Sequence, residues 1–459
     1  MIKKNGPSIR CVSVFALFFM LSPVPRAGFA EEAGKSVEEQ RRDTIRYGTE
    51  SEIASLIQSL KSENADYLDD ELAVLVQRTL NRSVLTGIFE FFAEREKGGL
   101  EERALRALAE WDNEANETVI AAINYLGSVK SAGAVRELEA LIGQEDTRFR
   151  PQAFRALGRI AGGNGTLRDE ITAYLMDYYT ARMPPDDIRR EIVSALGAAR
   201  STDAVSFLSR LAENSDERLT IRIAAVESLS AIGDGGGLDA ILEGISARDP
   251  NLRAASIAAL GPFSGDTVDN AILEAFRDSY YRTRTGAAEA AGKRKMAAAI
   301  PYLEYRARND DIPGVKDAAI RALGDIGNSA ALSVLDSLFG ERRNADRVRI
   351  LAAEMLIRED AGRYAGKLIA ELDEAKRGNQ TALYNGFLRV ISSARTGEME
   401  ALAERLLALG GVIEKSYALD IINSNRFTRL IPQVELLADP KNGTISRKAQ
   451  GILENLRRQ

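Results

Sequence analysis

Histidine is absent from all 459 residues, and its absence excludes more chemistry than any motif supplies. Without imidazole there is no Ser/His/Asp or Cys/His triad, no His-ligated zinc or haem, and no side-chain base whose ordinary pKa lies near neutrality. Cysteine occurs once, as Cys11, and only 6% of residues are aromatic. Alternating Val/Ile/Thr runs are missing, so no β-sheet is expected. A basic excess is missing too: 61 Lys plus Arg stand against 67 Asp plus Glu, which argues against a general nucleic-acid binder. No catalytic residue, metal ligand or cofactor site is expected.

Long apolar runs are scarce as well. The one short run, Cys11 to Leu21, follows Lys3, Lys4 and Arg10 and precedes Gly28-Phe29-Ala30, the pattern of a secretory signal with a small-x-small cleavage site. Eleven residues are too few to span a bilayer, which needs roughly 18 or more. Cys11 stands at the front of the run, so it cannot be a lipid-acceptor cysteine. Residues 1–30 therefore read as a signal peptide, and the protein as exported, periplasmic or extracellular in a bacterium. Its removal takes away Lys3, Lys4, Arg10 and Arg26, leaving 57 basic and 67 acidic residues and no cysteine. An exported chain without disulfides must draw its stability from buried apolar area in a large structure.

What is present is a repeat. The apolar residue that closes a recurring Ala-rich segment falls at Leu126, Leu157, Leu196, Leu229, Leu260, Ala291, Leu323, Leu356, Ile391 and Ile422. The intervals are 31 to 35 residues except for one of 39, which contains Met183-Pro184-Pro185 and reads as an insertion. Glycine follows six of the ten closing residues, at 127, 158, 197, 261, 292 and 324, a position expected to be a left-handed helix C-cap. Seven positions upstream the residue is basic in eight of ten rows: Arg150, Arg189, Arg222, Arg253, Arg284, Lys316, Arg349 and Lys415. Such periodicity suggests stems packed along the helix with charged heads pairing Asp of the same or the next repeat. An acid precedes most of these residues, at Asp146, Asp186, Asp216, Asp249, Asp278, Asp311 and Asp346, where it is expected to cap a helix N-terminus. After a short turn a second apolar stripe follows, as in Val334, Leu335 and Leu338, so each period is a helical hairpin, helix A then helix B.

The stretch Gly314-Val315-Lys316-Asp317-Ala318-Ala319-Ile320-Arg321-Ala322-Leu323-Gly324-Asp325-Ile326-Gly327 resembles the HEAT repeat in its PBS-lyase HEAT-like variant. The resemblance implies an all-α fold, an α-solenoid superhelix of about 11–12 stacked hairpins, with helices A on the outer face and helices B lining the inner, concave one. Metal-binding relatives with His-Glu motifs do not carry over to a chain without histidine. The domain reading is a signal peptide at 1–30, a disordered leader at 31–43, divergent helical repeats at 44–100, and the HEAT-like array at 101–459 with a C-terminal capping helix from Thr444.

Function is sought where the pattern breaks. Between Phe276 and Arg308 the bases Arg277, Arg282, Arg284, Lys293, Arg294, Lys295, Arg306 and Arg308 outnumber Asp278, Glu289 and Glu304. Lys293-Arg294-Lys295 falls in the A-to-B turn, where exposure is expected. Alignment of Leu303 with Leu335 puts Tyr302 on a core position, Tyr305 on an exposed one, and Arg306 where the next repeat has the buried Leu338. Packing alone does not favour that last substitution, and Tyr and Arg are frequent interface anchors. In the 39-residue period Tyr174 and Tyr178 fit the core stripe and Tyr179 is the exposed candidate. The partner-binding candidates are thus Arg277, Arg282, Lys293, Arg294, Lys295, Tyr305, Arg306, Arg308 and Tyr179. Gly162-Gly163-Asn164-Gly165 and Gly235-Gly236-Gly237 lack the strand and the Lys-Ser/Thr ending of a phosphate loop and read as turns.

Three functions fit: a non-catalytic scaffold holding a protein or peptide on the concave face, a binder of anionic envelope polymer or lipid head groups through 277–308, and a carboxylate-based envelope enzyme. Carboxylate pairs suffice for glycoside hydrolysis, but no non-repeated pair stands out, so the scaffold is the leading expectation.

Overall fold

The computed structural model describes residues 36–457. The described residues hold twenty-five α-helices, six short 3-10 turns and no strand. The signal-peptide reading of 1–30 lies outside them.

The chain divides at Leu72 into two compact units. In the first, helices Val37–Tyr47 and Glu50–Glu63 each open with a capping box, Ser36 with Glu39 and Thr49 with Glu52, which satisfies end N–H groups from both directions. Arg41 joins the pair by donating to both Glu63 oxygens at 2.7 Å and to the Tyr67 hydroxyl at 2.6 Å. Residues 37–43 are therefore helical, which corrects the disordered leader expected there. Their charge pattern, read as a solvated leader, is that of a helix start with paired cations.

The second unit is a row of hairpins. Twelve helices A stack on one another from Arg82–Glu94 through Asn116–Ser128 and onward to Thr444–Arg457, and helices B pack beside them, as anticipated for the solenoid. Its first helix A, Arg82–Glu94, lies in the stretch 44–100 read as divergent helical repeats. One hairpin, Asp346–Arg377, runs as a continuous helical stretch broken at Asp360, whose φ of −152° is not helical. The 39-residue period holds a helix B of 18 residues, Gly165–Arg182, twice the length of Val135–Gly143 or Val205–Glu213.

The glycine after the closing residue does something other than expected. Gly127, Gly158, Gly197, Gly292 and Gly324 lie inside helix A, and none has positive φ. They sit instead where one helix A crosses the next: a Cβ on Gly158 would lie 2.6 Å from the Ala195 carbonyl oxygen, and one on Gly292 would lie 2.9 Å from the Ala322 Cα. The small residue permits close approach of two backbones. After Gly127, Gly197, Gly292 and Gly324 the left-handed position comes three residues later, at Lys130, Arg200, Lys295 and Gly327.

The basic row has a second job beside ion pairing. Arg150 donates to the carbonyls of Ile142 and Gln144, Arg222 to Ala212, Lys316 to Arg308 and Arg349 to Phe339, in each case at the C-terminal end of the preceding helix B. These cations close orphan carbonyls and meet the negative end of the helix dipole. In the last hairpin the neutral Ser446 donates to the Ala438 carbonyl instead. Among the seven acids expected to cap helices, Asp249 is an N-cap with side-chain bonds to the Asn251 and Leu252 N–H groups, whereas Asp146 and Asp278 make turn contacts two residues ahead.

Candidate functional site

Helix B Ile300–Asn309 turns Ile300, Leu303 and Ala307 into the core, a spacing that leaves Tyr302, Tyr305 and Arg306 on its flank. That flank faces the end of the preceding helix B, Asp266–Ala275, where Phe276 and Arg277 follow. Phe276, Arg277, Pro301, Tyr302, Tyr305 and Arg306 line an open groove of about 280 Å³. Phe276, fully buried, stacks on Tyr302 with centroids 5.6 Å apart and planes 28° apart. The Arg277 guanidinium lies 5.5 Å from the Tyr302 ring centre and donates to Glu274 at 2.6 and 2.8 Å. Tyr305 is 57% exposed, with the Arg306 guanidinium 5.3 Å from its ring centre.

Beneath the groove sits a buried ion pair. Arg284 donates to both Asp310 oxygens at 2.8 Å and to the carbonyls of Asp278 and Ser279 at 3.0 Å. Burial alone would raise the Asp310 carboxyl; the Arg284 bonds, with the Ile312 N–H, outweigh it and hold the group below the usual carboxylate range. Arg306 reaches the same carboxylate at 3.3 Å. Asp310 therefore already serves Arg284 twice and a backbone N–H before Arg306 arrives.

The structure splits the sequence candidates. Arg277, Tyr305 and Arg306 share the groove. Arg308 turns away, pairing with Glu304 and, in the next hairpin, with Glu341 and Ser337 at 2.8 to 3.0 Å. Arg282 is exposed beside Tyr281, whose hydroxyl it meets at 3.1 Å. Lys293, Arg294 and Lys295 lie at the A-to-B turn, the other end of helix B. Arg294 is not exposed as expected: it is clamped to the Phe263 carbonyl and to Asp269 of the preceding hairpin. Lys295 has φ of 52°, the left-handed conformation. Lys295→Gly should thus retain or slightly raise the thermal midpoint despite losing a side chain, because glycine relieves the steric cost of that conformation; a drop of several degrees would contradict the turn.

Tyr179 is a correction. It is 7% exposed, its hydroxyl accepts from Arg189 at 2.6 Å and donates to Glu217, and its ring packs edge-on against Phe207. Burial, followed by the nearby Glu217 charge, pushes that hydroxyl up to about 12. In the lengthened helix the buried stripe runs Ile171, Leu175, Tyr179, each four residues on, while Tyr174 and Tyr178 are half-buried and Tyr178 packs against Phe154. The stacking partner Phe276 and the buried pair Arg284–Asp310 were missed, since neither breaks the sequence pattern.

Several carboxylates are held low: Asp278, Asp310 and Glu414 below their ordinary values, and Glu341 down to about 2, first by the Ser337 hydroxyl and then by Arg308 and Arg343. Their folded pKa values lie under the unfolded ones, so their stabilisation is complete above about pH 4 and is lost as pH falls through the folded values. Glu139, raised by burial and by Glu170, offsets a small part. With no histidine to titrate, the thermal midpoint should stay flat from about pH 5.5 to 8 and fall between about pH 4 and 2. Calorimetry across that range checks it; a step near pH 6.5 would contradict it.

Among the described residues no cluster of three or more Cys, Asp or Glu is placed to hold a metal, and no helix is long and apolar enough to cross a membrane. The model of the family described as spirochaete HEAT repeat protein matches residues 45–452. The chain belongs to that family. Solved structures similar to this HEAT array include Kap121p, at 12% identity and TM-score 0.46, with 91% of this chain and 53% of that one covered. Kap121p bound to the extreme C-terminus of the protein phosphatase Cdc14p is also similar, at 12% identity and TM-score 0.47 with the same coverage. Importin beta matches at 13% identity and TM-score 0.46 over 92% of this chain and 67% of that one. The HEAT chain thus spans about half the length of Kap121p. Comparison with curated protein sequences finds no match.

Proposed function

We propose that this HEAT-repeat protein is an exported, non-catalytic scaffold that holds a protein or peptide partner along the face formed by its helices B. The observation that carries the reading is the groove at Phe276, Tyr302 and Tyr305, where an exposed ring and two guanidiniums interrupt an otherwise repetitive face. Repeat arrays offer area to partners because each hairpin adds surface beside the last. Aromatic and Arg side chains are the usual anchors on such surfaces. Export rests on the pattern of residues 1–30.

Binding of anionic polymer through 277–308 is less well supported by the same geometry. Arg277, Arg284, Arg294, Arg306 and Arg308 each meet a carboxylate, and the remaining Arg282, Lys293 and Lys295 lie at opposite ends of the hairpin. Crosslinking in native cells from a photoreactive residue at position 305 tests the scaffold. A stoichiometric protein adduct that persists in high salt is expected. Absence of any adduct, or adducts with glycan or lipid alone, would remove the reading. Cell fractionation tests export: retention of the full chain in the cytoplasm would contradict it.

A further inference from the structure

We infer that the groove between the two helices B is a receptor for a peptide that presents an aromatic side chain next to a carboxylate, an inference that rests on the scaffold reading and narrows its partner. Three observations converge. Arg306 replaces an apolar core residue of the repeat, and its side chain is only 20% exposed. A cation so far withdrawn from water needs a full counter-charge. Its one carboxylate neighbour is Asp310, which it shares: Oδ1 accepts from Arg284 and from the Ile312 N–H, and Oδ2 accepts from Arg284 and, in a longer contact that takes the last site, from Arg306. A carboxylate has about four acceptor sites, so Asp310 has none left, and the remaining N–H groups of Arg306 have no partner among the described residues. Guanidinium with two free donors matches an incoming carboxylate in paired geometry.

The ring half of the assignment comes from Tyr305. It is 57% exposed, standing between Tyr302 and Arg306 in the open groove. An offset or edge-on ring from a ligand would cover it, a contact contributing about 0.5–1.5 kcal/mol beyond area burial. The surroundings select for the acid as well. The chain as a whole is acidic, at −6, whereas the groove lining holds Arg277 and Arg306 and no acidic side chain.

The test is a fluorescence-anisotropy titration of the purified protein with three labelled peptides in one Gly-Ser frame, carrying phenylalanine–aspartate, phenylalanine–asparagine or alanine–aspartate. The first should bind about ten-fold or more tightly than either control. Arg306→Gln should abolish the preference for aspartate over asparagine and leave the preference for phenylalanine. Tyr305→Ser should do the reverse. Arg306→Lys, which keeps the charge but loses the fork, should retain a partial preference for aspartate and serves if the glutamine variant does not fold. Equal binding of the three peptides, no binding of any, or an unaltered preference in the Arg306 variants would overturn the assignment. Its failure is separable from that of the scaffold. A crosslinked partner that persists in Arg306→Gln and Tyr305→Ser cells leaves the scaffold standing and sinks the groove, whereas no partner of the unsubstituted protein sinks the scaffold itself.

Discussion

Arg284→Met is expected to lower the unfolding free energy by about 3–5 kcal/mol, because it leaves the buried Asp310 carboxylate with only the Ile312 N–H and the longer Arg306 contact. The Asp310 side chain is wholly buried and that of Arg284 is 7% exposed. Arg284 is the chief group that holds this carboxyl low, so without it burial pushes the group up, opposed only by the Ile312 N–H and the Arg306 charge. Loss of the two carbonyl contacts to Asp278 and Ser279 adds to the cost. A double-mutant cycle with Asp310→Asn separates the parts. The amide can still accept from Ile312, so Arg284→Met with Asp310→Asn should recover a large share of the loss, the residue being the uncapped carbonyls. Urea denaturation measures all three variants; a single-variant cost under about 1 kcal/mol would mean that the pair is solvated like a surface bridge.

Gly158→Val should cost about 2–3 kcal/mol, with the whole effect arising between two helices A rather than within one. The added Cβ meets the Ala195 backbone, at 2.6 Å from its carbonyl oxygen and 2.7 Å from its Cα, and backbone cannot step aside as a side-chain tip can. Valine also brings a stiff β-branch. Gly451→Ala is the control. Gly451 lies inside helix Thr444–Arg457 with nothing within 4 Å of a built Cβ, so alanine there should add up to about 1 kcal/mol through helix propensity. If Gly158→Val unfolded at the same urea concentration as the unsubstituted protein, the close crossing of the helices would be wrong.

The architecture was legible because packing repeats: a closing residue every 31 to 35 positions leaves little else for a chain to be than stacked hairpins. What the same periodicity hid was the reason behind each position. Glycine after the closing residue looked like a C-cap, since the sequence shows a helix end but not the neighbour crossing it. The Arg/Lys row read only as heads pairing Asp of the same or the next repeat, since the carbonyls it closes have no letter in the sequence. Tyr305 and Arg306 were readable as misfits against Ser337 and Leu338. Phe276 was not, because an aromatic after an apolar helix reads as core, which it is, and its second role as the wall behind Tyr302 is purely spatial. Tyr179 failed for a related reason: a stripe drawn from short helices B does not carry over to one of 18 residues.

Where a cation of the following hairpin closes a helix B, as Arg150, Arg222, Lys316 and Arg349 do, the row gains a direction. Each unit closed in this way depends on its successor to finish its last turn, whereas Arg189, behind the lengthened helix, pairs with Tyr179 and Glu217 instead. Shortening the protein from its N-terminal side therefore removes finished units, while shortening it from the C-terminal side leaves the new last unit with open carbonyls. A deletion ending after Arg308, which discards Lys316, should fray at Ile300–Asn309, whereas one extended through the helix Pro313–Ile326 should not.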